Sequence, residues 1–206
     1  MAKQTKFLDK AYELGDASQT RALYESWAES YDAELQENRY ASPARTAAAM
    51  AEAVADKAAP LLDLGCGTGL SGVALHKAGF AVIDGTDFSQ EMLKAAAAKG
   101  VYRTLLKGDL NAPIPARPGD YANITAVGVF SPGHAPAALI DEVVALLPQG
   151  GCFGFSLNDH ALEDPSYEAR IKVLVEAGRI EVVSDAYGDH LPGIGLKAKI
   201  YVLRRL

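Results

Sequence analysis

The chain is expected to fold as an α/β domain, a mostly parallel sheet with helices on both faces. Three observations predict this. From about Pro60 onward, short apolar runs alternate with helical spacings, the pattern left by strand–helix crossovers. The first of these runs closes on a glycine-rich turn that opens the next helix. The 206 residues, 49% hydrophobic and 22% charged, suit one globular domain and not a disordered chain.

The elements follow in order. A helical N-terminal segment from about Ala17 to Asp56 holds two helices. The second opens at Ser42-Pro43, an N-cap residue followed by proline at the first helical position. Pro60 to Leu64 reads as the first strand, and Leu70 to Ala78 as a helix stopped by Gly79. Ala81 to Asp84 leads a second strand into Thr86-Asp87. Ser89 then caps a helix from Gln90 to Lys99, ended by Gly100. Tyr102 to Leu106 and Tyr121 to Phe130 are the third and fourth strands. The helix from Pro136 to Leu147 carries Leu139, Ile140, Val143, Val144 and Leu147 on one face. Cys152 to Leu157 is the fifth strand, and Ser166 to Ala177 a further helix. The last strands, near Ile180–Ser184 and Lys197–Leu203, are joined by about a dozen residues with no room for a helical crossover, so they pair antiparallel. Residues 1–57 form a helical lid segment and 58–206 the α/β core of a single domain.

A net charge of −6 and a pI near 5.2 argue against a general nucleic-acid binder, which carries a basic footprint. Cys66 and Cys152 give neither a disulfide framework nor metal-ligand spacing, so no metal is expected. The first ten residues lack the apolar run of a signal peptide and no window approaches eighteen uncharged apolar residues, so neither a leader nor a membrane span is expected. A soluble, cytoplasmic protein without membrane contact is expected.

The chemistry is concentrated in Asp63-Leu64-Gly65-Cys66-Gly67-Thr68-Gly69. A strand, a glycine turn and a helix N-terminus let a cofactor approach the backbone and meet free N–H donors. Gly67-Thr-Gly69-Leu-Ser-Gly72 also satisfies the dinucleotide pattern, with acidic Asp87 about twenty residues on, so a nicotinamide cofactor competes. Three features favour S-adenosylmethionine. Asp63, inside the strand end, would repel a pyrophosphate but suits a ligand with an ammonium group. Asp87 ends the second strand, where a carboxylate can accept from both ribose hydroxyls. Asp109, in Gly108-Asp109-Leu110, follows the third strand within reach of an adenine amino group. Any one of these aspartates could be a solvated surface residue; it is their common register that points to a ligand.

These residues carry a resemblance. Asp63 to Gly69 resembles the first motif of the class I S-adenosylmethionine-dependent methyltransferases. Gly85-Thr-Asp87-Phe-Ser-Gln-Glu-Met92-Leu93 is similar to their second-strand motif, and Leu147-Pro-Gln-Gly-Gly151 to their turn before strand five. The resemblance implies a Rossmann-like seven-stranded sheet in the order 3-2-1-4-5-7-6, with strand 7 antiparallel. It implies that Gly65 and Gly67 line the methionine part of the cofactor and that Asp63 orients its ammonium. Asp87 then holds the ribose, Phe88 and Met92 pack near the adenine, and Asp109 with the Leu110 backbone meets the ring edge. Val127 lies beneath the sulfonium. Phe88 and Met92, at i and i+4, also suit a simple core.

Trp27-Ala-Glu-Ser-Tyr31-Asp32 is similar to a segment of small-molecule methyltransferases whose tyrosine closes over the cofactor, which implies that role for Tyr31. The same stretch resembles the Williams-Beuren-region methyltransferase-like group. Tyr24, Trp27, Ala28 and Tyr31 share one helical face, which plain packing on the sheet also explains. Tyr24 and His134 are candidate substrate contacts; His134 follows strand four at the edge where α/β sheets bind ligands, and capping of the next helix is its competing role. Asn158, Asp159 and His160 follow strand five at that edge. No catalytic base stands out. The expected activity is methyl transfer from S-adenosylmethionine to a small molecule by in-line displacement. The alternatives are a non-catalytic S-adenosylmethionine-binding sensor or scaffold, and a nicotinamide-dependent oxidoreductase.

Overall fold

The computed structural model describes residues 30–130 and 135–206. Helix α1 is described over 30–37 and is followed by α2 (Ser42–Ala53). The core then runs β1 (Leu61–Leu64), α3 (Leu70–Lys77), β2 (Ile83–Asp87), α4 (Gln90–Ala98) and β3 (Thr104–Lys107). It continues through β4 (Asn123–Phe130), α5 (Leu139–Leu146), β5 (Cys152–Asn158), α6 (Asp159–Leu162) and α7 (Pro165–Glu176). The hairpin strands β6 (Ile180–Leu191) and β7 (Leu196–Arg205) close the chain. The sheet has the expected order β3-β2-β1-β4-β5-β7-β6. β1 to β5 pair in parallel and β7 runs antiparallel to both neighbours.

Strand alternation assigns the two faces. Leu62 and Leu64 of β1, Ile124 and Ala126 of β4, and Phe153, Phe155 and Leu157 of β5 join α5 and α7 in one core. There Phe130, Phe155 and Tyr167 meet edge-on at ring separations of 5.3 and 5.7 Å, and Phe155 stacks on Tyr201. Pairs of this kind add about 0.5–1.5 kcal/mol beyond burial. Leu61, Ile83, Cys152 and Val202 face the other way, onto Ala47 and Met50 of α2 and Leu75 of α3. By the same alternation Asp63 and Thr125 point to the α2–α3 face.

Several expectations need correcting. The final strands are longer than the sequence suggests. β6 runs through Gly188 to Leu191, and only Pro192–Gly195 separates it from β7. β6 is mostly exposed, so it lacks the apolar alternation that marks a half-buried strand. β2 and β3 start two residues later than expected, and α5 starts at Leu139. Ser42 does not cap α2. The cap position is Ala41 and makes no side-chain bond, while Ser42 lies inside the helix. Its Oγ instead lies 2.7 Å from Nδ1 of buried His190, and the Ala41 N–H donates to the His190 carbonyl. A tertiary bond spanning 148 positions has displaced the local one. Ser89, by contrast, caps α4 as expected, accepting from the Met92 N–H.

Burial pushes the His190 imidazole down to about 4. Unfolded, it takes up a proton near its ordinary value of about 6.5, which the folded protein refuses until about 4. Stability is therefore lost as pH falls through that window. The difference corresponds to ~3 kcal/mol. His190→Asn removes this contribution, so the stability gap between wild type and variant, measured by urea unfolding, should shift against wild type by about that amount between pH 7 and pH 4. Parallel stability curves over that range would show that His190 titrates normally.

Candidate cofactor site

The carboxyl ends of β1, β2 and β3 lie side by side. Asp87, the last residue of β2, folds its carboxylate back over the glycine turn. Oδ2 accepts from the Gly67 N–H at 3.0 Å, and Oδ1 accepts from the Ser89 N–H at 2.9 Å. Burial pushes this carboxyl up, against hydrogen bonds from the Ser89, Gly67 and Phe88 backbones. The Gly108 N–H donates to the Asp87 carbonyl, which ties the tip of β3 to that of β2. Asp109 follows, with Oδ1 accepting from the Asn111 backbone and side-chain amides.

Asp63 sits one level deeper. It is fully buried, and its oxygens accept from Ser71 Oγ at 2.6 Å, Tyr102 OH at 2.8 Å and Thr125 Oγ1 at 3.0 Å. Burial pushes the carboxyl up to about 6, those hydroxyls oppose the rise, and the nearby Asp87 charge adds to it. Asp63 and Asp87 have no Lys or Arg partner among the described residues. Asp63, buried inside the end of β1 with only neutral donors about it among the described residues, puts negative potential beside the turn where a pyrophosphate would lie, whereas an acid at the position of Asp87 is shared with dinucleotide sites. This electrostatic sign opposes a nicotinamide dinucleotide and suits the ammonium and sulfonium of S-adenosylmethionine.

Tyr31, Gly65, Gly67 and Val127 line one small cavity of about 30 Å³, closed by Tyr40, Pro43 and Thr68. A larger cleft of about 760 Å³ lies between α1, α2 and α3; it shares Tyr40, Pro43 and Leu70 with the smaller cavity and is not lined by Asp63, Asp87 or Asp109. The smaller space is the one beside the glycine turn. A Cβ on Gly65 would come within 2.6 Å of Val129 and 3.5 Å of Leu110, so these side chains press on the turn from the β4 and β3 sides. Phe88 is half-buried beside Asp87. Met92 is only 1% exposed and presents almost no surface to a ligand in this conformation. The structure thus brings Tyr31, Gly65, Gly67, Asp87, Leu110 and Val127 around the turn. It sets Asp63 and Met92 beneath it and places Asp109 just past the next strand. Tyr24, Trp27, Ala28 and His134 lie outside the described residues. Asn158 caps α6, and Asp159 accepts from Tyr187 OH and the Lys197 N–H.

Sequence reasoning missed the hydroxyls around Asp63. Thr125 left a signal, a lone hydroxyl residue in an apolar strand, and it pairs in register with Asp63. Tyr102 left none. Also missed was Asp32 of α1, whose two oxygens accept from Thr68 Oγ1 and Lys99 Nζ, binding α1 to the turn and to the end of α4. Cys66 is buried against Leu93 and Ala96, where it fills space as a small apolar residue.

Residues 61–151 match the family described as methyltransferase domain. Human methyltransferase-like protein 27 is 31% identical over 176 residues, 83% of this chain and 72% of that protein. A trans-aconitate 2-methyltransferase of Rhizobium rhizogenes is 32% identical over 107 residues, 52% of this chain and 41% of that protein. The mouse 18S rRNA (guanine-N(7))-methyltransferase is 43% identical over 61 residues, 30% of this chain and 21% of that protein. Among solved structures, the methyltransferase partner of the Haloferax volcanii Trm112 activator superposes with a TM-score of 0.63 at 18% identity, covering 87% of this chain and 96% of that one. The last likeness concerns the fold alone. The chain belongs to the class I S-adenosylmethionine-dependent methyltransferases, and its cofactor is S-adenosylmethionine. The expectation against a nucleic-acid partner finds no support in these names, since one relative is named for 18S rRNA. No described helix is long and apolar enough to cross a membrane.

Proposed function

We propose that the protein transfers the methyl group of S-adenosylmethionine to a small-molecule acceptor. The observation that carries this reading is the pair of buried carboxylates, Asp63 and Asp87, flanking Gly65 and Gly67 with no Lys or Arg partner among the described residues. When bound, S-adenosylmethionine supplies a sulfonium-activated methyl group for in-line displacement. The protein's own residues have simpler tasks: to bind, orient and exclude water. Asp87 accepts from the ribose, and Gly65 and Gly67 admit the methionine part. Asp109 and Leu110 border the adenine, with Phe88 against the ring and Met92 supporting it from below. Asp63, buried beneath the turn, orients the ammonium through water, Tyr31 covers the methionine end, and Val127 lies under the sulfonium. The N-terminal segment up to residue 57 serves as a lid, with α1 latched to the turn through Asp32.

A small acceptor is supported by the tight roof of Tyr31, Tyr40 and Pro43 over the turn, by the acidic charge, and by the trans-aconitate relative. The test is release of S-adenosylhomocysteine from S-adenosylmethionine in the presence of a metabolite mixture, with an RNA pool in parallel. Turnover with metabolites is expected. Turnover with RNA alone would reassign the acceptor, and none with either pool would favour a sensor.

Asp63 makes the binding pH-dependent. An ammonium beside the carboxylate favours its ionised form, so a proton on Asp63 competes with the ligand. With the free carboxyl titrating at about 6, affinity for S-adenosylhomocysteine should fall about tenfold between pH 7 and pH 5. Calorimetry on Asp63→Asn should show that dependence flattened. An equally steep profile in the variant would assign it to another group.

A further inference from the structure

Tyr40 entered none of the sequence expectations, yet three independent observations fix its ring and hydroxyl over the tip of β4. First, it stands at the tight junction between α1 and α2, where Arg39 adopts φ +57, a left-handed conformation that non-glycine residues rarely hold. The Tyr40 N–H closes that junction onto the Leu35 carbonyl. Strain at such a residue persists only where the surroundings enforce it.

Second, the ring is clamped from behind. It meets His190 edge-to-face at a centroid distance of 5.1 Å and 82° between planes. His190 is itself buried and bonded to Ser42. Third, the tip of β4 is shaped around the phenol oxygen. The β4–β5 register shifts between Ala126 and Phe130, and the Gly128 N–H donates to Ser156 Oγ. Gly128 takes φ +71, and a Cβ there would lie 2.7 Å from the Tyr40 hydroxyl. A side chain at 128 is excluded both by its backbone and by Tyr40.

We propose that Tyr40 presents its hydroxyl oxygen to the sulfonium end of S-adenosylmethionine, so that it holds the cationic, methyl-bearing centre over Val127. This rests on the cofactor placement given above, in which Val127 underlies the sulfonium, because Tyr40 closes the same cavity as Val127, Gly65 and Gly67. A phenol oxygen is a neutral dipole with its negative end on oxygen. It attracts a sulfonium without adding a charge that would compete with Asp63 and Asp87. The thioether product lacks both the charge and the methyl, so the contact distinguishes substrate from product.

That distinction supplies the test. Calorimetry measures S-adenosylmethionine and S-adenosylhomocysteine binding to wild type, Tyr40→Phe and Gly128→Ala. Tyr40→Phe keeps the ring against His190. It is expected to weaken S-adenosylmethionine roughly three- to tenfold, the range of one hydrogen-bond-sized contact, with S-adenosylhomocysteine changed less than about twofold. Gly128→Ala, which displaces the hydroxyl, should repeat the selective loss. Equal weakening of both ligands would place Tyr40 on the shared methionine or adenosine part and overturn the proposal, as would unchanged affinity for both. If wild type binds neither ligand, the cofactor placement itself fails, a result distinct from either.

Discussion

Alanine at Gly72 is expected to destabilise the protein by about 2–4 kcal/mol and to weaken cofactor binding with it. Gly72 lies on the first turn of α3, and its absent side chain is where the Tyr102 ring fits. A Cβ would stand 2.3 Å from both Cζ and the hydroxyl oxygen. The ring cannot retreat cheaply, because its hydroxyl accepts from the Gly72 N–H at 3.1 Å and donates to Asp63 at 2.8 Å. Moving it costs overpacking and leaves a buried carboxylate short of a donor. Urea unfolding reads the stability, and Tyr102→Phe in the same background separates the two terms, since it removes the hydroxyl while keeping the ring. A loss below about 1 kcal/mol in Gly72→Ala would mean that the ring has room to move.

Asp87→Ala is expected to weaken S-adenosylhomocysteine binding by about ten- to a hundredfold, since ribose hydroxyls lose a charged acceptor. The same carboxylate also fixes the turn, through the Gly67 and Ser89 N–H groups. The variant therefore loses pre-organisation as well as contact. Asp87→Asn keeps an acceptor oxygen but turns an amide N–H₂ toward one of those donors, and should fall between the two. Calorimetry showing unchanged affinity in Asp87→Ala would remove Asp87 from the site.

The strand order and the glycine turn could be read from the chain because their signals are local. Asp63 to Gly69 is one contiguous stretch, and Ser89 caps α4 from three residues away. The chemistry around Asp63 could not be read in that way. Its donors lie 8, 39 and 62 positions off and converge only when β1, α3, the segment leading into β3, and β4 assemble. Gly72 fitted a dinucleotide pattern by spacing, but its structural purpose is to admit Tyr102. Ser42-Pro43 carried a sound capping signal, and a buried histidine from the far end of the chain redirected it. β6 failed for a further reason. At the sheet's margin most of its residues face water, so composition near Gly188 and Asp189 looked like a loop.

That marginal position has its own consequence. A twelve-residue outer strand exposing Val182, Val183 and Tyr187 is the kind of edge on which a second chain could add a strand and start aggregation. Two breaks in the β6–β7 ladder, after Val182 and near Asp189, interrupt the flat stretch an incoming strand would need. Glu181 and Asp185 also set charged side chains along the edge, each paired with a cation of β7, Arg204 and Lys199, and such charged decoration blunts an edge strand. The water-facing composition that hid β6 from sequence reading, together with the two breaks in its ladder, also makes its open side a poor template for an added strand.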